Sequence, residues 1–222
     1  MVRRALVEDS SSLSVSLLYA YITVVIYGTE QVSPEVIKIN SSAGLAFFIR
    51  TVYLKIVEPC QIIKDAEFVH EKEEDILDAG MIFSVESKAM DYLARAEQCR
   101  AGLTAKLLKK NYQSKYIEPA LNYLESINYI DDSRYALFWL NSRKINHAEA
   151  RIKLAGELAS RGIRKEDASK ALDEFFKENS EFDMALKCYQ KCQRQNKTPE
   201  KTVAYMLSQG FKYSDIKQII QS

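Results

Sequence analysis

A repeated unit fills the last 135 residues of the chain and limits its fold more than any other feature. Its register is marked three times by asparagine or glycine followed by an apolar residue. The marks are Asn111-Tyr112, Gly162-Ile163 and Gly210-Phe211. Apolar residues recur six, nine and ten residues after each mark: Ile117, Ala120 and Leu121, then Ala168, Ala171 and Leu172, then Ile216, Ile219 and Ile220. This spacing predicts stacked helical repeats that bury one another's apolar faces.

The asparagine or glycine at each mark has a physical cause. A helix that ends in a tight turn needs one residue at positive φ, which glycine adopts freely and asparagine tolerates. The apolar periodicity around the marks predicts three short helices in every unit. The predicted repeats are residues 89–130, 131–178 and 179–222, after a strand-rich module (1–70) and a helical connector (71–88).

The head of the chain has a different pattern. From Ser12 to about Lys64, β-branched and aromatic runs alternate with turn residues, which indicates strands. The apolar run Leu13–Tyr27 contains Ser14, Ser16 and Thr23 and is shorter than the roughly 20 residues of a membrane span, so it is interpreted as β-rich. The predicted fold is mainly α: an elongated array of three tandem three-helix repeats, preceded by a small strand-rich N-terminal module, α+β overall.

Charge is divided unevenly along the chain. Residues 1–87 contain 7 Lys and Arg against 13 Asp and Glu, a net of −6, whereas residues 88–222 contain 24 against 17, a net of +7. A basic repeat array favours contact with nucleic acid or with an acidic protein surface. Four cysteines without a paired framework favour a reduced compartment, so a cytoplasmic protein with no membrane contact is expected.

The sequence offers little for catalysis. Two histidines stand far apart, and no Gly-rich phosphate loop, nucleophile elbow or HExxH is present, so we expect no enzyme, no cofactor and no metal. Cys188 and Cys192 could supply two thiolates to zinc, but burial as packing residues is favoured. In the pair Asp131-Asp132, one carboxylate is interpreted as the N-cap of the next helix.

Basic residues are the more informative set. Any one of them is best explained as part of a solvated face, but as a group they could form a basic stripe along the array. The group comprises Lys106, Lys109, Lys110, Arg143, Lys144, Arg151, Lys153, Arg161, Arg164 and Lys165, and such a stripe could follow a regular polyanion or a regular acidic protein lattice.

Three segments carry a resemblance to a known family. They are Leu107–Tyr112 (LLKKNY), Tyr129–Ala136 (YIDDSRYA) and Glu157–Ile163 (ELASRGI), followed by Ala171-Leu172. In this order and spacing the chain, from about Ala89 onward, resembles the bacterial RecX family, regulators of the RecA recombinase. Asn111 and Asn128 stand where that family usually has glycine.

The resemblance implies a non-catalytic modulator. Family members bind RecA, typically lie in the groove of the RecA–DNA filament, and inhibit its recombinase and coprotease activities. Carried over by position, the eight residues that the resemblance implies for contact with the filament or its DNA are Arg143, Arg151, Lys153, Arg161, Arg164 and Lys165, with Lys109 and Lys110 beside them. A monomer is expected. Two alternatives stay open: a protein that binds single- or double-stranded DNA directly, and a scaffold for another acidic protein in which the negative head shields the basic body.

Overall fold

The structure is a computed structural model and describes residues 23–221. They form two compact units that divide between Ser87 and Lys88. The boundaries predicted for the head, the connector and the single repeats stay predictions. Of the apolar run Leu13–Tyr27, residues 13–22 lie outside the described residues, and the rest belongs to the first strand.

The first unit is built on a small antiparallel sheet. Its strands are β1 (Thr23–Ser33), β2 (Val36–Ser41), β3 (Phe47–Arg50) and β4 (Glu67–Val69), in the order β3-β2-β1-β4. Ile37 of β2 is paired with Ile49 of β3, and Val24 of β1 with Phe68 of β4. All four of these side chains are buried, so the pairs form part of the core of this unit.

The strand-like run after Leu45 ends earlier than its residue types indicate. Strand β3 stops at Arg50, and Thr51–Tyr53 form a short 3-10 turn. The buried carboxylate of Asp75 accepts hydrogen bonds from the amides of Lys55, Ile56 and Val57 at 2.9–3.1 Å. These amides therefore have a side-chain acceptor instead of a neighbouring strand, and the segment is not part of the sheet.

The described residues contain nine helices, which confirm a mainly α fold with an N-terminal strand module. The helices are α1 (Glu71–Leu93), α2 (Arg100–Leu108), α3 (Ser114–Ser126), α4 (Asp132–Arg143), α5 (Arg151–Ser160), α6 (Lys165–Glu178), α7 (Glu181–Arg194), α8 (Pro199–Ser208) and α9 (Tyr213–Gln221). Taken in chain order they form three triplets, and the first triplet begins with the end of α1.

The three marked turns have the same geometry. Asn111, Gly162 and Gly210 have φ of +65°, +78° and +88°. The apolar residue after each mark donates its amide to the carbonyl five residues earlier, as Ile163 does to Leu158 at 3.2 Å, with equivalent bonds in the other two repeats. This bond satisfies a carbonyl that the end of the second helix leaves without a partner. The mark is therefore a helix C-terminus in every repeat.

Two of these turns also pack on the preceding repeat. A Cβ added to Gly162 would lie 2.6 Å from the Cβ of Ala101, at the start of α2. A Cβ added to Gly210 would lie 2.9 Å from Cγ2 of Ile152, the equivalent residue at the start of α5. Carbonyls beside the turns accept hydrogen bonds there: Arg161 from the Cys99 thiol, and Gln209 from the amide of Ala150 at 3.0 Å. Repeats thus stack through glycine turns.

At one core position a polar residue replaces an apolar one in the third repeat. Leu103 and Leu154 are buried in the second helices of the first two repeats, and Thr202 stands at the equivalent place in α8 with 1% of its surface exposed. Among the described residues its hydroxyl oxygen has no hydrogen-bond partner. A buried polar atom in this state costs about 1–3 kcal/mol.

Thr202→Val is therefore expected to raise the free energy of unfolding by about 1 kcal/mol, because it keeps the shape and removes the orphaned hydroxyl. Thr198→Val is the matched control, since Thr198 caps α8 by accepting a hydrogen bond from the amide of Lys201. That change is expected to lower stability by about 1 kcal/mol. Chemical denaturation measures the change in the free energy of unfolding, which should be positive for Thr202→Val and negative for Thr198→Val. A loss of stability in Thr202→Val would contradict the statement that its hydroxyl has no hydrogen-bond partner.

Candidate macromolecular interface

The eight candidate basic residues lie mostly around the ends of helices in the second repeat. Arg143 ends α4, Arg151 and Lys153 lie in the first turn of α5, Arg161 follows α5, and Arg164 and Lys165 begin α6. Lys109 and Lys110 follow the equivalent helix of the first repeat, α2. The structure divides this set by what each side chain contacts.

Arg143 is held inside the fold by a buried carboxylate. Its Nε and Nη2 donate to the two oxygens of Glu149 at 2.6 and 2.9 Å, and only 2% of Glu149 is exposed. Burial raises the pKa of Glu149, but the hydrogen bonds and charge of Arg143 outweigh this and leave the pKa below its ordinary value. Arg143 therefore neutralises an internal charge.

A second arginine is stacked on the same tryptophan as Arg143. The guanidinium of Arg161 lies 4.3 Å from the ring centroid of Trp139, and that of Arg143 lies 5.2 Å from it. Nη1 of Arg161 also donates to the carbonyl and the carboxylate of Glu157, at 2.8 and 3.1 Å. The hydrogen bonds and ring contacts of these two arginines are thus made within the repeat.

Arg164 connects the first two repeats. Its Nε donates to Asp167 at 3.0 Å, and its Nη2 lies 3.9 Å from a carboxylate oxygen of Glu125 on α3. The other oxygen of Asp167 accepts a hydrogen bond from Ser133 of α4. The Arg164 side chain is nevertheless 69% exposed, so it can also contact a partner.

Arg151 occupies a position that is also arginine in the first repeat. Its Nη2 donates to Asp173 at 2.6 Å, and Arg100, 51 residues earlier, donates to Asn122 at 2.7 Å in the same register. Arg100 also binds Glu118 and Glu125 and is mostly buried. Sequence reasoning did not select Arg100, although superimposing the repeats pairs it with Arg151. Both arginines fasten the second helix of a repeat to the third.

The lysines of the set are different. Among the described residues, their ammonium groups make no hydrogen bond or ion pair, although the charge of Lys153 contributes to lowering the pKa of Glu149. Three are exposed and Lys153 is half-buried. We name Lys109, Lys110, Lys153 and Lys165 the free lysines. Ammonium groups of this kind can contact phosphates or carboxylates without breaking an internal bond.

Other candidates have structural roles. Asp131 accepts a hydrogen bond from the amide of Arg134 at 3.0 Å, which confirms the predicted N-cap of α4. Cys188 and Cys192 are both buried, and burial raises the pKa of Cys188 to about 12, so it stays a thiol near neutral pH. Within residues 23–221, no three His, Cys, Asp or Glu side chains are grouped to hold a metal ion.

No helix in the part of the chain that the structure describes is long and apolar enough to cross a membrane.

Several curated proteins similar to this chain are named Regulatory protein RecX. The protein from Treponema pallidum is 33% identical over 117 residues, covering 53% of this chain and 71% of the relative. The protein from Clostridioides difficile is 25% identical over 189 residues, covering 82% and 88%. No family model matches the chain.

Two crystal structures have the same fold. One of a regulatory protein RecX gives a TM-score of 0.70 at 21% identity and covers 90% of this chain and 100% of the other. RecX from Lactobacillus salivarius gives 0.55 at 22% identity and covers 64% and 95%. The 33% identity to a relative that is covered over 71% of its length establishes that the chain belongs to the RecX family of regulatory proteins.

Proposed function

We propose that this protein regulates the RecA recombinase by binding the RecA–DNA filament and inhibiting its recombinase and coprotease activities. Membership of the RecX family carries this proposal. The free lysines support it, because they place positive charge, without an ion-pair partner among the described residues, at helix ends of the first two repeats. A filament offers regularly spaced acidic groups, both carboxylates and phosphates, to such a surface.

The direct test measures ATP hydrolysis and strand exchange by RecA on single-stranded DNA while this protein is added below the concentration of RecA. Binding of the protein to the same DNA without RecA is measured in parallel. Inhibition at concentrations that leave bare DNA unbound supports the proposal. Absence of any effect on RecA would reject it.

Charge reversal tests the proposed contact residues. The double variant Lys109→Glu with Lys110→Glu, and the single variant Lys165→Glu, are each expected to weaken inhibition about tenfold, or by about 1.4 kcal/mol. Lys217→Glu on α9 makes the same change of charge outside the set and is expected to inhibit normally. Arg143 and Arg161 are left unchanged, because altering them would disturb internal contacts. Equal inhibition by all variants would remove Lys109, Lys110 and Lys165 from the interface.

The second candidate is direct binding to DNA, which the same free lysines favour. Contacts to phosphates release counterions, so the affinity for single-stranded DNA would fall with salt at a logarithmic slope of about −0.7 for each phosphate contacted. A binding titration over a range of salt concentrations, without RecA, separates this candidate from the first. Tight, salt-dependent binding with no effect on RecA would favour it.

A further inference from the structure

A groove separates the exposed edges of α5 and α6 in the second repeat. It has a volume of about 410 Å³. Its apolar surface comes from three alanines, Ala155 and Ala159 of α5 and Ala168 of α6. Two larger residues, Ile163 and Leu172, complete it. Ile163 and Leu172 are buried, so the floor of the groove belongs to the core of the repeat.

Small side chains at three positions leave this space open. The position of Ala159 is occupied by Leu108 in the first repeat and by Leu207 in the third. Ala155 corresponds to a threonine and a valine, and Ala168 to two isoleucines. Leu108 and Leu207 are both nearly half exposed in their own repeats, so a leucine is compatible with this helix position. The repeat architecture therefore does not require the alanines of the second repeat.

The two charged residues among the described residues that line the groove are positive, but carboxylates contact one of them: Asp173 binds the Arg151 guanidinium and Glu181 accepts a hydrogen bond from the Arg151 amide. Arg151 lies at one end and Lys165 at the other, and none of the residues that line the groove is acidic. Arg151 contacts Asp173, eight residues and thus about 12 Å of helix beyond Lys165. The Arg151–Asp173 pair is 38% and 62% exposed, so solvent screens it and a competing carboxylate can replace Asp173 at small cost. Lys165 is one of the free lysines.

From these features we infer that the groove binds an acidic segment of the partner protein, which inserts an aliphatic side chain between α5 and α6 and places carboxylates near Arg151 and Lys165. The inference rests on the proposed function, which makes the partner a protein. Burial of apolar surface in the groove provides attraction, and the cations at its ends select for acidic neighbours. A nucleic acid backbone would leave the apolar floor without a matching group.

The test uses the full chain and the RecA filament assembled on single-stranded DNA as the probe. Ala159→Leu fills the groove with the residue that both other repeats have, and Lys165→Ser introduces the residue at the equivalent position, Ser114. Each is expected to weaken filament binding about tenfold. Lys170→Ser, on the same helix and outside the groove, is the matched control and is expected to bind as the unchanged protein does. Thermal unfolding confirms that each variant is folded.

The outcomes distinguish the two proposals. If the unchanged protein binds the filament and both groove variants bind equally well, the groove inference is overturned while the proposed function stands. If the unchanged protein neither binds nor inhibits, the proposed function fails, and the inference fails with it. If Ala159→Leu is unfolded, Ala155→Val replaces it in the comparison, because the third repeat has valine, Val203, at the equivalent position.

A photo-crosslinking residue at Ser169, which also lines the groove, identifies what occupies it. Mass spectrometry of the crosslinked product is expected to find a protein segment rich in Asp and Glu. Crosslinking to DNA, or to a segment without acidic residues, would overturn the inference.

Discussion

Gly162→Ala is expected to lower the free energy of unfolding of the helical unit by about 3 kcal/mol. A residue with a Cβ at φ +78° costs about 1–2 kcal/mol. The new Cβ would also lie 2.6 Å from the Cβ of Ala101 in the preceding repeat, and such overpacking costs about 1–3 kcal/mol more. Denaturant unfolding followed by circular dichroism measures the loss.

The control for this prediction lies six residues away. Gly156 is in the interior of α5, and a Cβ there would meet nothing within 4 Å. Gly156→Ala is therefore expected to raise stability by about 0.5–1 kcal/mol, since alanine is the better helix former. The same substitution should thus have opposite signs at two positions in one helix–turn segment.

A double-mutant cycle separates the two costs at Gly162. In the background Ala101→Gly the clash is absent, so Gly162→Ala should retain only the cost of its positive φ. Gly162→Ala should therefore lower the free energy of unfolding by less in the Ala101→Gly background than in the unchanged protein. The difference should be at least about 1 kcal/mol, the lower end of the cost of overpacking. Equal losses in both backgrounds would show that the contact between the repeats contributes nothing.

Arg143→Ala is expected to cost about 3 kcal/mol, because it leaves the buried carboxylate of Glu149 without its partner. The double variant Arg143→Met with Glu149→Met removes both charges and should be much closer to the unchanged protein. Arg143→Lys keeps the charge and loses the bidentate geometry, so an intermediate loss is expected. Denaturant unfolding of the three variants gives this order.

The pH dependence of Arg143→Ala follows from the pKa of Glu149. In the unchanged protein this pKa is lowered, so the pair stabilises the fold above about pH 4.3, the unfolded pKa of Glu, and the contribution is lost as pH falls through the folded pKa. Without Arg143, burial raises the pKa of Glu149 above the unfolded value, and stability then decreases as pH rises. The difference in stability between the two proteins should therefore be larger at pH 7 than at pH 5.

If the difference in the free energy of unfolding between the unchanged protein and Arg143→Ala stays constant between pH 5 and pH 7, the role assigned to Glu149 is contradicted. Loss of RecA inhibition in Arg143→Ala has to be compared with its loss of stability before Arg143 is assigned to the interface.

The features that the sequence determined by itself are local. Positive φ at Asn111, Gly162 and Gly210 and the N-cap at Asp131 follow from the conformational preferences of single residues, and the helices follow from apolar spacing along a short stretch. Family resemblance followed from the same motifs. These features were predictable because their causes lie within a few residues of each other along the chain.

The features that only the tertiary structure decided depend on groups far apart in the sequence. Asp75 accepts hydrogen bonds from amides about 20 residues earlier and so ends the strand-like run, which residue types alone did not reveal. Arginines and lysines look equivalent in the sequence, yet Arg143 meets a buried carboxylate whereas Lys165 faces an open groove. Ion pairing and packing between repeats are set by distances in space, so the division of the basic residues into internal and available charges required the folded structure.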